Sequence, residues 1–444
     1  MHSNMIMNTI RFATLSRCAR VIAGLTGFAL VAAAGPLWGA VSSRVEVRGA
    51  QFIPEEDIQR TCGVEAGVPY SDAELRDIEA CLMSTAVFER VSLYRESDVL
   101  IIDVVELDTR PGRLSGALFY DSQDDVTARL SYERENLFPG VYGALEVSFN
   151  PEIKRLDGRL IWDDALGEGL DFGLSVYGEH LEYDDRSYAQ KSIQIEPQLA
   201  WRPDDGIRIE VGMGVRQYRM EGVEPDASSL LIDEAISLGE VTAPYLRFGL
   251  QLNNLDGDEA VRMGYEASLQ QFFWNLGTDD ILSETRVSGR IYVPLQPRTR
   301  LVLGLRGGAV LGMDGNSPRA VDRFFPGGEA FRGFAPRGLG PQDGDDVLGG
   351  DYYLVGSVEL QRQFELEHGP NFLAGIFADV GTSWGLDDDR DGLIDDGWHR
   401  RSSLGVSLTF DVADIPVSLY VAHPIEREAG DESQTFGLSV SARF

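Results

Sequence analysis

Residues 323–339 read R-F-F-P-G-G-E-A-F-R-G-F-A-P-R-G-L, a composition that is unusual for a loop between two strands. Its four glycines and two prolines disfavour a helix or a regular strand. Surface loops are normally short and polar, whereas this one is long, aromatic and cationic. We therefore expect it to fold into a cavity where its phenylalanines can pack. Arg332 would then face a buried acidic partner, because an unpaired buried charge is costly. An ordinary Gly- and Pro-rich hairpin loop is the alternative.

The sequence of residues 111–444 alternates between apolar and polar side chains almost without interruption. The runs, such as 170–177 and 436–444, reach the length that a tilted transmembrane strand needs. Strands of soluble sandwiches are shorter, at about 5–6 residues. Sixteen candidate strands start near residues 113, 125, 141, 154, 169, 188, 206, 239, 260, 280, 299, 348, 369, 399, 414 and 433. The longer connections are 220–238, 312–347 and 381–398.

This pattern predicts an all-β transmembrane barrel of about 16 antiparallel strands. The barrel must be closed, because lipid cannot satisfy the hydrogen bonds of an open sheet edge. The Arg332 stretch follows the eleventh candidate strand.

The two strands after this stretch each carry one acid on the face predicted to line the lumen. Glu359 and Asp379 alternate with the apolar residues of their strands, so both point inward. Phe377 and Gly381 share the face of Asp379. Guanidinium and carboxylate can form a bidentate pair, so these acids are the predicted partners of Arg332. A hydrated lining of the lumen is the alternative for both acids.

The N-terminal residues 1–40 have the pattern of a secretory signal peptide, with three arginines before an apolar run that ends in small residues. A retained membrane anchor is the alternative. Beyond this segment no apolar run of about 18 residues occurs, so no membrane-spanning helix is predicted. Export places Cys62 and Cys81 in an oxidising compartment, where a disulfide is expected and two buried thiols are the alternative.

Residues 41–110 predict a small α+β domain of order β-α-α-β-β. An alternating strand at 44–49 precedes a helix that opens at Pro54. Ser71 and Glu74 form a capping box for a second helix, and two further strands follow.

Composition limits the classes of function. The formal net charge of −32 argues against a nucleic-acid partner, because phosphates would be repelled. The five histidines lack metal-ligand spacing and no G-x-S-x-G nucleophile motif occurs, so we predict neither an enzyme nor a cofactor.

Asp387, Asp389 and Asp391 match the first half of a calcium loop, but Trp398 stands where the bidentate glutamate belongs. We predict a solvated acidic loop there, with calcium binding as the weaker alternative.

Two motifs carry a resemblance to a known family. The loop motif comprises Gly327, Gly328, Phe331, Arg332, Gly333 and Phe334, and the strand motif comprises Phe377, Asp379 and Gly381. Glu359, preceded by Gly349 and Gly350, resembles the strand between them. These residues resemble the outer-membrane assembly and secretion barrels, of the BamA/TamA and two-partner-secretion type. The N-terminal domain resembles one polypeptide-transport-associated (POTRA) module of that family, through Val47-Arg48-Gly49, Pro69-Tyr70 and Val87-Phe88-Glu89-Arg90-Val91.

The resemblance implies a place in the outer membrane of a Gram-negative bacterium, with the POTRA-like domain in the periplasm. It implies insertion or assembly of outer-membrane proteins, or translocation of secreted polypeptides. The expected partners are the lipid bilayer, unfolded outer-membrane or secreted chains, and periplasmic accessory proteins.

The client chain would be captured by the N-terminal domain through strand addition and passed via a seam between the first and last strands. Phe436 and Gly437 lie in that last strand, and the terminal Phe444 resembles the C-terminal recognition signal of outer-membrane barrels. Two alternatives remain: a solute or ion pore, and a structural surface-antigen barrel without transport activity.

Overall fold

The computed structural model describes residues 40–41, 43–50, 53–85, 87–106, 112–121, 125–138, 140–256, 263–313, 315–365, 371–386, 394–412 and 415–443. The first 39 residues of the predicted signal peptide lie outside this part of the chain, as do Phe444 and the calcium-loop candidates Asp387, Asp389 and Asp391.

The N-terminal domain (residues 40–106) has the predicted order of elements. Its strands are β1 (Ala40–Val41), β2 (Arg44–Arg48), β3 (Pro69–Tyr70), β4 (Phe88–Glu96) and β5 (Val99–Glu106), and its helices are α1 (Glu55–Thr61) and α2 (Asp72–Ser84). β5 lies between β2 and β4 in one sheet, parallel to β2 and antiparallel to β4. Apolar residues of both helices and of the sheet form a single core. The short β1–β3 pair had no signal in the sequence.

Two local predictions for this domain are confirmed. The Ser71 side chain accepts a hydrogen bond from the Glu74 amide at 3.3 Å, and the Glu74 carboxylate accepts one from the Ser71 amide at 2.6 Å. This is the capping box that starts α2. Cys62 and Cys81 form a disulfide that ties the end of α1 to α2.

The remaining strands are, in chain order, β6 (Arg113–Asp121), β7 (Asp125–Phe138), β8 (Val141–Phe149), β9 (Ile153–Trp162), β10 (Leu170–Leu181), β11 (Ala189–Asp204), β12 (Ile207–Glu221), β13 (Glu240–Asn253), β14 (Gly264–Trp274), β15 (Leu282–Gln296), β16 (Thr299–Gly312), β17 (Gly333–Phe334), β18 (Gln342–Asp343), β19 (Asp346–Val347), β20 (Tyr352–Phe364), β21 (Phe372–Trp384), β22 (Arg401–Val412), β23 (Ile415–Glu426), β24 (Ser433–Gln434) and β25 (Phe436–Arg443). All except β17, β18, β19 and β24 form one closed antiparallel barrel of sixteen strands. β25 closes the barrel against β6. The predicted fold class is confirmed.

The sequence located the barrel strands closely, because their alternation is long. Each predicted start lies within four residues of the observed one. The connection predicted at 220–238 contains a helix that was not predicted, α3 (Ser229–Leu238). The sequence contains two features typical of a helix here, a serine at the N-cap and apolar residues at helical spacing. In the structure, Ser228 caps the first turn by accepting a hydrogen bond from the Leu230 amide at 3.2 Å.

The alternation divides each strand between two environments. On β20, Leu354 and Val358 are exposed on the outer wall, whereas Val355 is 3% exposed on the lumen side. A continuous apolar outer surface is what a lipid bilayer requires. Within the described part of the chain, none of the helices has the length and apolarity that crossing a membrane would need.

The connection between β16 and β20, residues 313–351, is hereafter the lumen loop. It follows the eleventh barrel strand, as predicted. It contains a short 3-10 helix (Gly328–Ala330) and the two-residue strands β17, β18 and β19. Phe331 and Phe334 are fully buried, in a cluster that includes Val355 of the barrel wall. The loop end of the barrel is defined here as the end from which the lumen loop enters.

Candidate functional site: an arginine clamp in the barrel lumen

Glycine makes the backbone path of the lumen loop feasible. Gly327 has φ +140° and Gly333 has φ +99°, a region that side-chain-bearing residues rarely adopt. A Cβ at Gly327 would overlap the carbonyl group of Ala335, and one at Gly333 would press on Ser403 of the barrel wall. Gly328, with φ +56°, also lies in the left-handed region. These glycines let the loop turn tightly and approach the wall, which places Arg332 against it.

Arg332 is held mainly by Asp379. Its Nε donates to Asp379 Oδ2 at 2.9 Å, and its Nη2 donates to Asp379 Oδ1 at 2.8 Å. The Arg332 amide adds a third bond to Oδ2 at 3.3 Å. The side-chain pair is bidentate, the strongest geometry for a guanidinium and a carboxylate.

A second acid completes the contact. Arg332 Nη1 donates to Glu359 Oε2 at 2.6 Å, and Nη2 also reaches Ser357 Oγ at 2.9 Å. Glu359 and Asp379 are 7% and 3% exposed, so both carboxylates lie out of bulk solvent. The three side chains that hold Arg332 come from the two strands that follow the loop. We call Arg332, Glu359 and Asp379 the Arg332 clamp.

Neighbouring hydroxyl and amide groups satisfy the remaining oxygens. Ser357 Oγ donates to Asp379 Oδ1 at 2.6 Å, and Gln361 Nε2 donates to Glu359 Oε1 at 2.9 Å. Ser407, one strand further along the wall, donates to the same Glu359 oxygen. One cation faces two carboxylates, so such a network is stable only when its acceptors are occupied in this way.

Phe377 forms the floor under the guanidinium. The Arg332 Cζ atom lies 3.4 Å from the centroid of the Phe377 ring, a cation–π contact. Gly405 of β22 makes room for this ring, because a Cβ at that position would overlap it. Gly381, the last member of the predicted strand motif, lies on β21 together with Phe377. A Cβ at Gly381 would overlap the backbone of β20.

The loop also pairs with the segment that leads into the last strand. β17 pairs with β24, with Gly333 opposite Gln434 and Phe334 opposite Ser433. Ser403 donates to the carbonyl oxygen of Arg332. No periodic pattern predicts these contacts, because they join residues far apart in the chain. The serines on the lumen faces of β20 and β22 were the one feature of the sequence that indicated hydrogen-bond partners for the loop.

α3 covers the lumen loop at the loop end. Arg323 donates to Glu234 Oε1 at 2.5 Å, and the Ala320 amide donates to Glu234 Oε2 at 2.9 Å. Arg323 and Glu234 are both buried. The loop is therefore held at two levels, by the Arg332 clamp in the lumen and by α3 above it.

On the other side of the Arg332 clamp lies a cavity of about 660 Å³. It extends across the lumen from Gln251 on β13 to Ser439 on β25. No group of three or more His, Cys, Asp or Glu side chains in the described residues is placed to hold a metal ion.

In the described residues, the ladder of the predicted seam has five residue pairs, as many as the β23–β25 ladder and fewer than the other ladders of the wall. The described ladder between β25 and β6 runs only from Ser439 opposite Asp121 to Arg443 opposite Ala117. Phe436 and Gly437 pair with β23 instead, and Gly437 provides the space for the Tyr420 ring.

The fold and the site together define the class of protein. It is a sixteen-stranded membrane barrel with a small N-terminal α+β domain and a lumen loop clamped by one arginine to acids of the wall. The chain belongs to the Omp85 superfamily, because the Omp85 superfamily domain matches residues 144–444.

The chain is also similar to individual proteins and solved structures. The chain is 24% identical over 417 residues to the outer membrane protein assembly factor BamA of Neorickettsia risticii (strain Illinois), which covers 90% of this chain and 55% of that protein. The chain thus spans about half the length of this curated relative. BamA from Haemophilus ducreyi lacking POTRA domains 1–3 has the same fold, with a TM-score of 0.75 at 18% identity over 91% of this chain and 84% of that one. CdiB from Acinetobacter baumannii gives a TM-score of 0.48 at 12% identity over 92% of this chain and 74% of that one.

Proposed function

We propose that this protein inserts polypeptides into, or translocates them across, the outer membrane of a Gram-negative bacterium. The observation that carries the proposal is the Arg332 clamp inside a closed barrel of the Omp85 superfamily. The relative from Neorickettsia risticii is named as an assembly factor, which favours insertion of outer-membrane proteins. The N-terminal domain lies in the periplasm under this proposal.

The N-terminal domain captures the client as an extended chain. Its sheet has the order β2-β5-β4, so β2 and β4 are edge strands within that sheet. An edge strand has unpaired N–H and C=O groups that an incoming segment can bind as an added strand, whatever its sequence. Sequence-independent capture suits a protein that handles many unfolded outer-membrane or secreted chains.

The seam between β25 and β6 is the route by which the client leaves. Its described ladder has five residue pairs, as has the β23–β25 ladder on the other side of the last strand, whereas the β20–β21 ladder has thirteen. Because each ladder pair contributes hydrogen bonds that must break for the wall to open, a five-pair ladder opens at a lower cost than a thirteen-pair ladder. The lumen loop occupies the interior, so a client strand would add to the wall at the seam while the lumen stays blocked.

Two measurements test this proposal. Depleting the protein and profiling the outer-membrane proteome should show loss of client barrels or of a secreted polypeptide. Photo-crosslinking from β2 or β4 of the N-terminal domain should capture unfolded chains of the same kind, together with any periplasmic accessory protein. An unchanged proteome combined with a large ion conductance of the purified protein would instead identify a pore.

A further inference from the structure

A second buried arginine–aspartate pair lies near the last strand, separate from the Arg332 clamp. Arg401 Nε donates to Asp431 Oδ2 at 2.7 Å, and Arg401 Nη2 donates to Asp431 Oδ1 at 2.8 Å. The two residues are 3% and 7% exposed. Arg401 also reaches Thr382 Oγ1 at 3.1 Å, and the Glu428 amide donates to Asp431 at 2.8 Å. Burial makes this pair costly to form, so it needs a structural or functional reason.

Asp431 begins the segment that leads into β25, and the lumen loop holds that same segment. The Ala335 amide donates to the Glu432 carbonyl at 3.0 Å, and the Glu432 amide donates to the Gly338 carbonyl at 2.8 Å. The β17–β24 pairing continues these bonds for two more residues. The segment 430–434 is therefore fixed on one side to the wall by Arg401 and on the other to the lumen loop.

Within the part of the chain that the structure describes, the neighbouring part of the last strand has no ladder partner on β6, which ends at Asp121. In the described residues, the ladder with β6 begins at Ser439, so Phe436–Leu438 pair with β23 alone. Among the described residues, the loop end of β25 is thus held by β23, by the lumen loop and by the Arg401–Asp431 pair, without a ladder bond to β6.

We infer that Arg401 and Asp431 are positioning residues of the seam, which hold the loop end of β25 in register with β6. The inference rests on the proposed function, because it assigns these residues to the seam through which a client would pass. It predicts a direction of opening: with the pair intact, the seam separates from the opposite end, where β6 begins at Arg113. Loss of the pair frees the loop end first.

Cysteine crosslinking at two points of the seam tests this inference in the full-length protein in lipid vesicles. Tyr120 and Val440 are register partners near the loop end, and Leu118 and Ala442 are register partners two residues further along. Because the pairs are two residues apart, they have the same ladder geometry. In an Asp431→Asn background, the crosslinking yield of the Tyr120→Cys/Val440→Cys pair should fall severalfold, and that of Leu118→Cys/Ala442→Cys should fall less.

A neighbouring ion pair provides the matched control. Arg400 and Glu426 are also joined by two hydrogen bonds, but their side chains are 65% and 41% exposed. Glu426→Gln should leave both yields unchanged. The Arg401→Gln/Asp431→Asn double variant should lose no more yield than Asp431→Asn alone, because the two residues act as one unit.

Three results would overturn the inference: equal yields in Asp431→Asn and the parent protein, an equal loss at both points, or a loss of the same size in Glu426→Gln. None of these readouts uses a client. If client insertion proves independent of the seam, the proposed function fails while the positioning of β25 is still measured.

Discussion

Arg332 of the lumen loop and Asp379 of the barrel wall form a bidentate ion pair inside the lumen, with Nε–Oδ2 and Nη2–Oδ1 distances of 2.9 and 2.8 Å. The pair joins a loop residue to a wall residue 47 positions later in the chain. Because the contact crosses from the loop to the wall, it fixes the loop inside the barrel.

Breaking this pair should destabilise the barrel. Arg332→Ala and Asp379→Ala should each lower the free energy of unfolding by about 3–5 kcal/mol, because Arg332→Ala leaves two buried carboxylates without their cation and Asp379→Ala removes the bidentate partner of Arg332. The double variant should cost clearly less than the sum, since either substitution alone already breaks the Arg332–Asp379 pair. Urea unfolding in lipid vesicles measures all three values. Simple additivity would contradict the clamp, and Arg400→Ala, in an exposed pair, should cost at most about 1 kcal/mol.

The floor of the clamp should be sensitive to one added methyl group. Gly405→Ala places a Cβ on the Phe377 ring, which must move away from Arg332, and against the Val421 carbonyl oxygen of β23. We expect a loss of about 1–3 kcal/mol, the usual cost of overpacking, and faster amide exchange in the loop at Phe331–Phe334. Gly116→Ala is the control, because nothing lies within 4 Å of its added Cβ. Similar effects of both substitutions would show that the ring is not specifically placed.

The disulfide of the N-terminal domain should act locally. Its cysteines are 19 residues apart, and closing a loop of that size stabilises a domain by about 3 kcal/mol. The Cys62→Ser/Cys81→Ser variant should therefore lose protease resistance in residues 40–106 while barrel unfolding stays unchanged. A domain that is equally resistant with and without the bridge would contradict this expectation.

The capping box of α2 should weaken in acid. The hydrogen bond from the Ser71 amide lowers the pKa of Glu74 below its usual range. A lowered pKa in the folded state means that the ionised carboxylate stabilises the helix above the unfolded pKa of about 4.3, and that this stabilisation is lost as the pH falls through the folded value.

Amide protection factors in the first turn of α2 should therefore decrease below about pH 4.3. Glu74→Gln keeps an acceptor for the Ser71 amide but has no charge, so its protection should not change over this range. A parent protein and a Glu74→Gln variant with the same pH profile would rule out the box as the cause.

The strands could be predicted, because their apolar and polar residues alternate with a period of two. The contacts between the lumen loop and distant segments could not, because no repeat in the sequence marks them. Period two assigned Glu359 and Asp379 to the lumen, and the need of a buried cation for an acid made them candidates for Arg332. Ser403 and Asp431 carried no such signal, because their contacts join a loop to a distant segment with no repeat. α3 was missed because a long polar connection was interpreted as loop despite the cap at Ser228.

The central claim is that clients pass through the seam, and a reversible crosslink tests it most directly. Tyr120→Cys and Val440→Cys, opposite each other across the seam, can be joined by oxidation and released by a reductant. The control is Val358→Cys with Ala378→Cys, register partners across β20 and β21 in the intact wall. Vesicles containing each variant receive a urea-unfolded outer-membrane protein, and its insertion is followed by protease protection. The account predicts that the oxidised seam blocks insertion, that reductant restores it, and that the wall crosslink has no effect. Insertion at the same rate through the oxidised and the reduced seam would contradict it.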